Sequence, residues 1–283
     1  MTPVLKKLGN SEDAVWIFRI LNQINQLSQG APLGTSDRAE FESAHLRLFE
    51  LLRQCNDARR ELIQLVQQHI EDVSVGRSVA VIGSGHIRIE DDIEPKLNRI
   101  VNSFFVAART VLYHLFGQRE DPSKGPHTKS ATEILTRYNL SFVHIHNDAK
   151  FEQAAARYLA FDTSRMAAHL MDVIRGDRKS WSLGLQDIRD TIIHDTRYLG
   201  LKVIYKANGN KVAIGFPRLN GVEMIEFVEL FWKNLVDAVE EITIASLATR
   251  MSSAIAIVPI PEEEWNPELP FRWRGVLLNT RSK

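Results

Sequence analysis

The stretch LQDIRDTIIHDTRYL, residues 185–199, sets three kinds of ionisable side chain at helical spacing. On a helix of about 3.6 residues per turn, Leu185, Ile188, Ile192 and Leu199 share one side while Asp190, His194 and Arg197 cluster on the other. Successive residues advance about 100°, so Asp190 and His194 stand within about 40° of each other and can hydrogen-bond. His194, with an ordinary pKa of about 6.5, suits proton transfer near neutral pH. Asp190, one turn earlier, can fix its tautomer and favour its charged form. Arg189 lies roughly 140° round from His194. It reaches the same spot only along its extended side chain or from a second copy of the helix, which suggests a dimer.

Composition bounds what can carry this stretch. With 283 residues and 44% hydrophobic content, the chain can bury the core of one large domain or two small ones. Basic and acidic residues balance at 35 each, so no global field draws the chain to nucleic acid or a membrane surface, and any RNA site must be a local patch. The opening MTPVLKKLGNSED lacks a following apolar run of signal-peptide length, and no window reaches the roughly eighteen apolar residues of a spanning helix. The expectation is a cytoplasmic protein without a membrane partner. A lone Cys55 excludes an intramolecular disulfide and a multi-cysteine zinc site, leaving a packing or surface thiol.

Taken in order, the pattern predicts a mainly α protein, a helical bundle with two small β-hairpins. Residues 11–29 fit an amphipathic helix closing at Gly30-Ala31-Pro32. Asp37 and Glu40 mark the start of a long helix to about Asp72, unbroken or broken near Asn56-Asp57, with Phe41, Leu48, Leu51, Leu52, Leu62, Leu65, Val66 and Ile70 apolar. Residues 79–89 read as a hairpin. The text VAVIGSG inside it invites a dinucleotide-binding turn, but the third glycine of that fingerprint is replaced by Arg88 and no βαβ unit surrounds it. Pro95 opens a core helix to about Phe116, and Ser130 with Glu133 caps a short helix through Tyr138. His144 and His146 could share a metal on a strand, but with no third ligand near in sequence they read as a surface pair, and no metal or other cofactor is expected. A helix from 150 to 175, with a kink allowed near Asp162-Thr163-Ser164, ends at Gly176, and the helix carrying the ionisable stretch follows from about Ser180 to Tyr198, stopped by Gly200. Asn208-Gly209 centres a second hairpin over 201–216, and Asn220 with Glu223 caps a final helix fading near Arg250. Three segments result: 1–90, helical and ending in a hairpin; 91–251, a bundle; and 252–283, a tail of prolines and aromatics packed on the body or on a partner.

Arg189-Asp190, three residues, then His194 resembles the arginine-to-histidine motif of the HEPN superfamily of helical domains, in which the residue after the arginine is often Asp, Asn or His. NSFFVAARTVLYHLF, residues 102–116, is similar to the apolar helix preceding the motif helix in such bundles. The resemblance spans about 91–250 and leaves the first ninety residues and the tail unexplained. A second arginine and histidine at the same spacing, Arg109 and His114, fall on the core helix.

The resemblance implies a metal-independent endoribonuclease working as a homodimer, with Arg189, Asp190 and His194 catalytic. Cleaving RNA without metal requires deprotonating a 2′-hydroxyl, stabilising a phosphorane and protonating the leaving 5′-oxygen. His194 can move the protons, Arg189 can clamp the phosphate with a planar fork, and Arg197 can add a donor to the substrate. Two motif helices facing across a two-fold axis would gather both pairs in one cleft. Asp195 stays structural. Family members often act as toxins or in defence against phage, restrained by an inhibitory or antitoxin protein. Against this stands a solvated helix face, on a non-catalytic protein- or RNA-binding module. Its anchors would be Trp265, Phe271, Arg272, Trp273 and Arg274, unless the tail docks on its own body.

Overall fold

The computed structural model describes residues 12–82, 85–117, 129–140, 147–182, 200–209, 211–219, 221–251, 255–266 and 269–278. Its helices are α1 (Glu12–Ile17), α2 (Ile24–Gln29), α3 (Thr35–Ser74), α4 (Glu94–Phe116), α5 (Ala131–Thr136), α6 (Asp148–Phe161), α7 (Arg165–Asp177) and α8 (Met224–Ala248). Strands β1 (Val79–Ile82), β2 (His86–Ile89), β3 (Ile204–Asn208), β4 (Lys211–Gly215), β5 (Arg218–Leu219), β6 (Val222–Glu223), β7 (Ile255–Pro259) and β8 (Trp273–Leu277) pair in sequence order as four antiparallel two-stranded sheets. The fold is mainly α with short hairpins. The chain divides into two compact units, one of Met1–Leu51, Thr110–Leu183 and Leu235–Lys283, the other of Leu52–Arg109 and Gly184–Asn234.

The long helix α3 runs unbroken past Asn56-Asp57 and starts at Thr35, two residues before Asp37. Its buried face repeats at alternating steps of four and three: Phe41, His45, Leu48, Leu52, Cys55, Arg59, Leu62, Val66, His69 and Val73 are all buried. Steps averaging about 3.5 keep one line on a helix with its ends drifting only slowly. Ile70, expected inside, falls off the line and is exposed.

In the unit containing 52–109, Phe104 and Phe105 of α4 meet Phe231 of α8 edge to face, with centroids 6.0 and 5.6 Å apart. Buried Cys55 packs there as the core thiol, its Sγ 3.7 Å from the Phe104 carbonyl. Arg59 forks onto Glu229 at 2.7 and 2.8 Å, tying α3 to α8. The hairpin over 79–89 forms in the register Val79↔Ile89, followed by α4, so VAVIGSG enters an antiparallel pair instead of a strand–turn–helix. The hairpin over 201–216 forms around Gly209, whose φ of +61° suits glycine.

In the other unit, the first helical segment is more complex than its pattern predicts. Between α1 and α2 it widens into a π turn, Phe18–Gln23, within which Arg19 and Gln23 are buried. Arg19 pairs with Asp237 and Glu240 of α8, its Nε reaching Glu240 Oε2 at 2.6 Å. Gln23 donates to Glu240 Oε1 at 2.7 Å and its oxygen accepts the main-chain N–H of Arg272 and Trp273 at 2.6 and 2.9 Å. The tail is therefore ordered by a side chain: 255–259 and 273–277 pair as a hairpin docked on its own unit, where an irregular segment is expected. Phe271 also meets Phe18 edge to face at 6.4 Å.

Other differences from the expected elements have local causes. Ser164 accepts the Ala167 N–H at 3.1 Å and caps a new helix, so the anticipated kink is a break between α6 and α7. Helix α7 passes through Gly176, which therefore ends nothing, and continues into a π turn, Arg178–Ser182. Glu223 pairs within β6 and α8 begins one residue later, at Met224, while Asn220 of the expected cap lies outside the described residues. Ser130 caps α5 as expected, accepting from the Glu133 N–H at 3.2 Å.

Two outcomes follow from these buried groups. Glu240→Ala leaves buried Arg19 with Asp237 alone and removes the acceptor of the Gln23 amide, and chemical denaturation should show a loss of about 3–5 kcal/mol. His45 is wholly buried against Phe41, with neither ring nitrogen hydrogen-bonded. Burial lowers its pKa to about 4, despite the Ile20 and Leu21 carbonyls favouring the charged form. The unfolded imidazole titrates near 6.5, so between pH 6.5 and 4 the unfolded chain binds the extra proton. Stability should fall by about 3 kcal/mol as pH drops through that window, and His45→Leu should remove this component from the pH dependence of urea midpoints.

Candidate functional site

The residues singled out for chemistry, Arg189, Asp190, His194 and Arg197, lie outside the described residues, as do His144 and His146. What the structure shows is how the chain is held on either side of them. Upstream, α6 and α7 are joined by Arg175, which reaches Glu152 at 2.9 Å. Buried Arg178, in the π turn, pairs with Asp148 and sits 4.9 Å over the Phe151 ring. Trp181 Nε1 donates to Asp177 Oδ1 at 3.0 Å, so the last described turn before residue 183 is pinned by an indole as well as by an ion pair.

Downstream, the chain re-emerges at Gly200 with φ +60°, a left-handed conformation that suits a helix-terminating glycine. Asn98 of α4 then clamps the next residue: its Nδ2 donates to the Leu201 carbonyl and its Oδ1 accepts the Leu201 N–H, both at 3.2 Å. Two residues on, Glu94 accepts the Val203 N–H at 2.8 Å. Leu201 and Val203 are buried, so their main-chain groups need these partners. The same Nδ2 also donates to the Glu94 carbonyl at 2.9 Å, fixing the amide on its own helix. Sequence reasoning missed Asn98 and Glu94. The only signal was an amide on an otherwise apolar helix face, one turn after an acidic residue in the first turn.

A second arrangement in the same unit joins the α3 stripe to β3. His69 Nε2 lies 2.9 Å from the Tyr205 hydroxyl. Burial lowers the His69 pKa while Asp91, Asp72 and Asp92 work the other way. Burial also pushes Tyr205 up to about 12, reinforced by Asp92, Glu94 and Asp91. At neutral pH the pair is a neutral imidazole and a protonated phenol, able to pass a hydrogen bond but carrying no charge for an anion.

The remaining sequence candidates separate cleanly. His114, of the second arginine–histidine pair, is half-buried on α4, and burial together with Arg47 lowers its pKa. Arg109 is half-buried on the same helix. In the tail, Arg272 reaches Asp237 at 3.2 Å and lies 5.9 Å from the Trp265 ring, while Arg274 pairs with Glu264. The tail aromatics and arginines thus dock within their own unit. Among the described residues, no group of three or more His, Cys, Asp or Glu is placed to hold a metal, and no helix is long and apolar enough to cross a membrane.

Asn98→Ala should cost about 2 kcal/mol, since it strands buried main-chain groups of Leu201. Hydrogen exchange should show the Leu201 amide losing protection with little change at Cys55 or Leu62 on α3. Unaltered exchange at Leu201 would remove Asn98 from this role.

Comparison with protein-family models, with curated proteins and with solved structures finds no match for this chain.

Proposed function

We propose that the protein is a cytoplasmic, metal-independent endoribonuclease of the HEPN type that acts as a homodimer. The observation that carries this reading is the spacing of Arg189, Asp190 and His194, with Leu185, Ile188, Ile192 and Leu199 on the side opposite Asp190 and His194. The mainly helical fold is compatible with it, and so is the Asn98 and Glu94 clamp that fixes the chain a few residues beyond the motif. His194 takes the proton from the 2′-hydroxyl or returns one to the 5′-oxygen, Asp190 orients it, and Arg189 and Arg197 bind the phosphate as its charge grows. In a dimer, each subunit supplies one histidine and one arginine to a shared cleft. A toxin or phage-defence role, with an inhibitory partner protein, belongs to the same reading. The alternative module that binds protein without catalysis loses support, because its tail anchors are engaged within their own unit.

The test is cleavage of a mixed RNA in excess EDTA by the native chain and by His194→Ala, matched for folding and oligomeric state. The native chain should cleave, and the variant should be slower by about a hundredfold or more. Equal cleavage by both would remove His194 from the chemistry.

A further inference from the structure

The tail hairpin lines a half-open cavity that none of this chemistry uses. Between α2 and the β7–β8 hairpin lies a pocket of about 370 Å³. That is within the range of small-molecule sites and gives room for about a dozen water-sized groups. Its wall is apolar: Leu27, Met251, Ile260 and Val276 are aliphatic, and Phe271 and Trp273 add two aromatic rings. The polar atoms of Gln23, which also line it, are already committed to Glu240 and to the Arg272 and Trp273 main chain. Those bonds also hold the hairpin wall in place, so the cavity is formed before any ligand arrives.

Two exposed polar side chains remain among the lining residues. Gln26 makes no side-chain hydrogen bond among the described residues. Arg274 is paired with Glu264, with both side chains nearly half exposed, an arrangement that a competing anion can displace at little cost. We propose that this cavity binds a monoanionic amphiphile, with its apolar body against the aliphatic and aromatic wall and its anionic head at Arg274 and Gln26. A purely apolar ligand would leave the guanidinium unused, and a polyanion would meet, among the described lining residues, a single cation beside a carboxylate. An acyl-chain carboxylate and an aryl carboxylate share the required chemistry.

Isothermal titration of the full chain with dodecanoate and with 2-naphthoate distinguishes the two. One-to-one saturable binding of either, with dodecanol or 2-naphthol about tenfold weaker or more, is the expected result and identifies the body as acyl or aryl. Arg274→Gln should abolish the difference between acid and alcohol. Gly30 lines the pocket in a helical conformation, φ −77°, and a Cβ there would stand 3.9 Å from Met251 Cε. Gly30→Leu should therefore fill the cavity and eliminate binding with the fold intact. Val276→Phe does the same from the hairpin side should Gly30→Leu fail to fold. Saturation by neither acid, equal affinity for acid and alcohol, or undiminished binding in the folded blocking variants would each overturn the proposal.

Discussion

Glu240 is a fully buried carboxylate on α8, and the unit built from both chain termini depends on how its charge is met. Arg19 and Gln23 meet it from the π turn, and Gln23 passes the connection on to the main chain of Arg272 and Trp273. Asp237 beside it takes Arg19 and Arg272, so two carboxylates face two guanidiniums. Nearby, burial raises the pKa values of Asp177 and Glu241, and neighbouring acids add to the effect. A buried ionic network of this kind contributes less to net stability than to selecting one arrangement, because an apolar substitute packs as well but specifies no partner. Here the specified arrangement is Arg19 and Gln23, four residues apart and therefore on one helical face, both turned to Glu240.

The α3 stripe explains both what sequence reasoning found and what it missed. A forty-residue helix is legible because its apolar residues recur, and Phe41, Leu48, Leu52, Leu62 and Val66 were placed correctly inside. His45, Arg59 and His69 occupy the same line but carry polar side chains, so an apolar search passes over them. Their positions at alternating steps of four and three were the available signal. Each then solves its burial differently: His45 by staying neutral, Arg59 by forking onto Glu229, and His69 by meeting the Tyr205 hydroxyl.

The hairpins show a comparable division. Those over 79–89 and 201–216 are local, with a tight turn and alternating strands, and the spacing alone predicts them. The tail hairpin joins strands separated by 260–272, a stretch rich in proline and acidic residues, so no local turn signal announces it. It forms because Gln23, some 250 positions away, accepts both N–H groups at the start of β8. Of the candidate site, residue types and spacing were legible, whereas the Asn98 clamp was not. An asparagine declares a bidentate contact with main chain only when the other segment is known.

That clamp bears on how the motif can work. On the helix that the pattern of 185–199 predicts, each residue turns the next by about 100°. A slip of one residue would therefore swing His194 from the polar side toward the flank of the apolar one. Periodicity cannot prevent this slip, since Leu185, Ile188, Ile192 and Leu199 define a broad face that tolerates rotation. A point constraint on the adjoining chain can. Leu201, seven positions beyond His194, is fixed through both of its main-chain groups, and Val203 through its N–H. Gly200, just before the clamp, is left-handed.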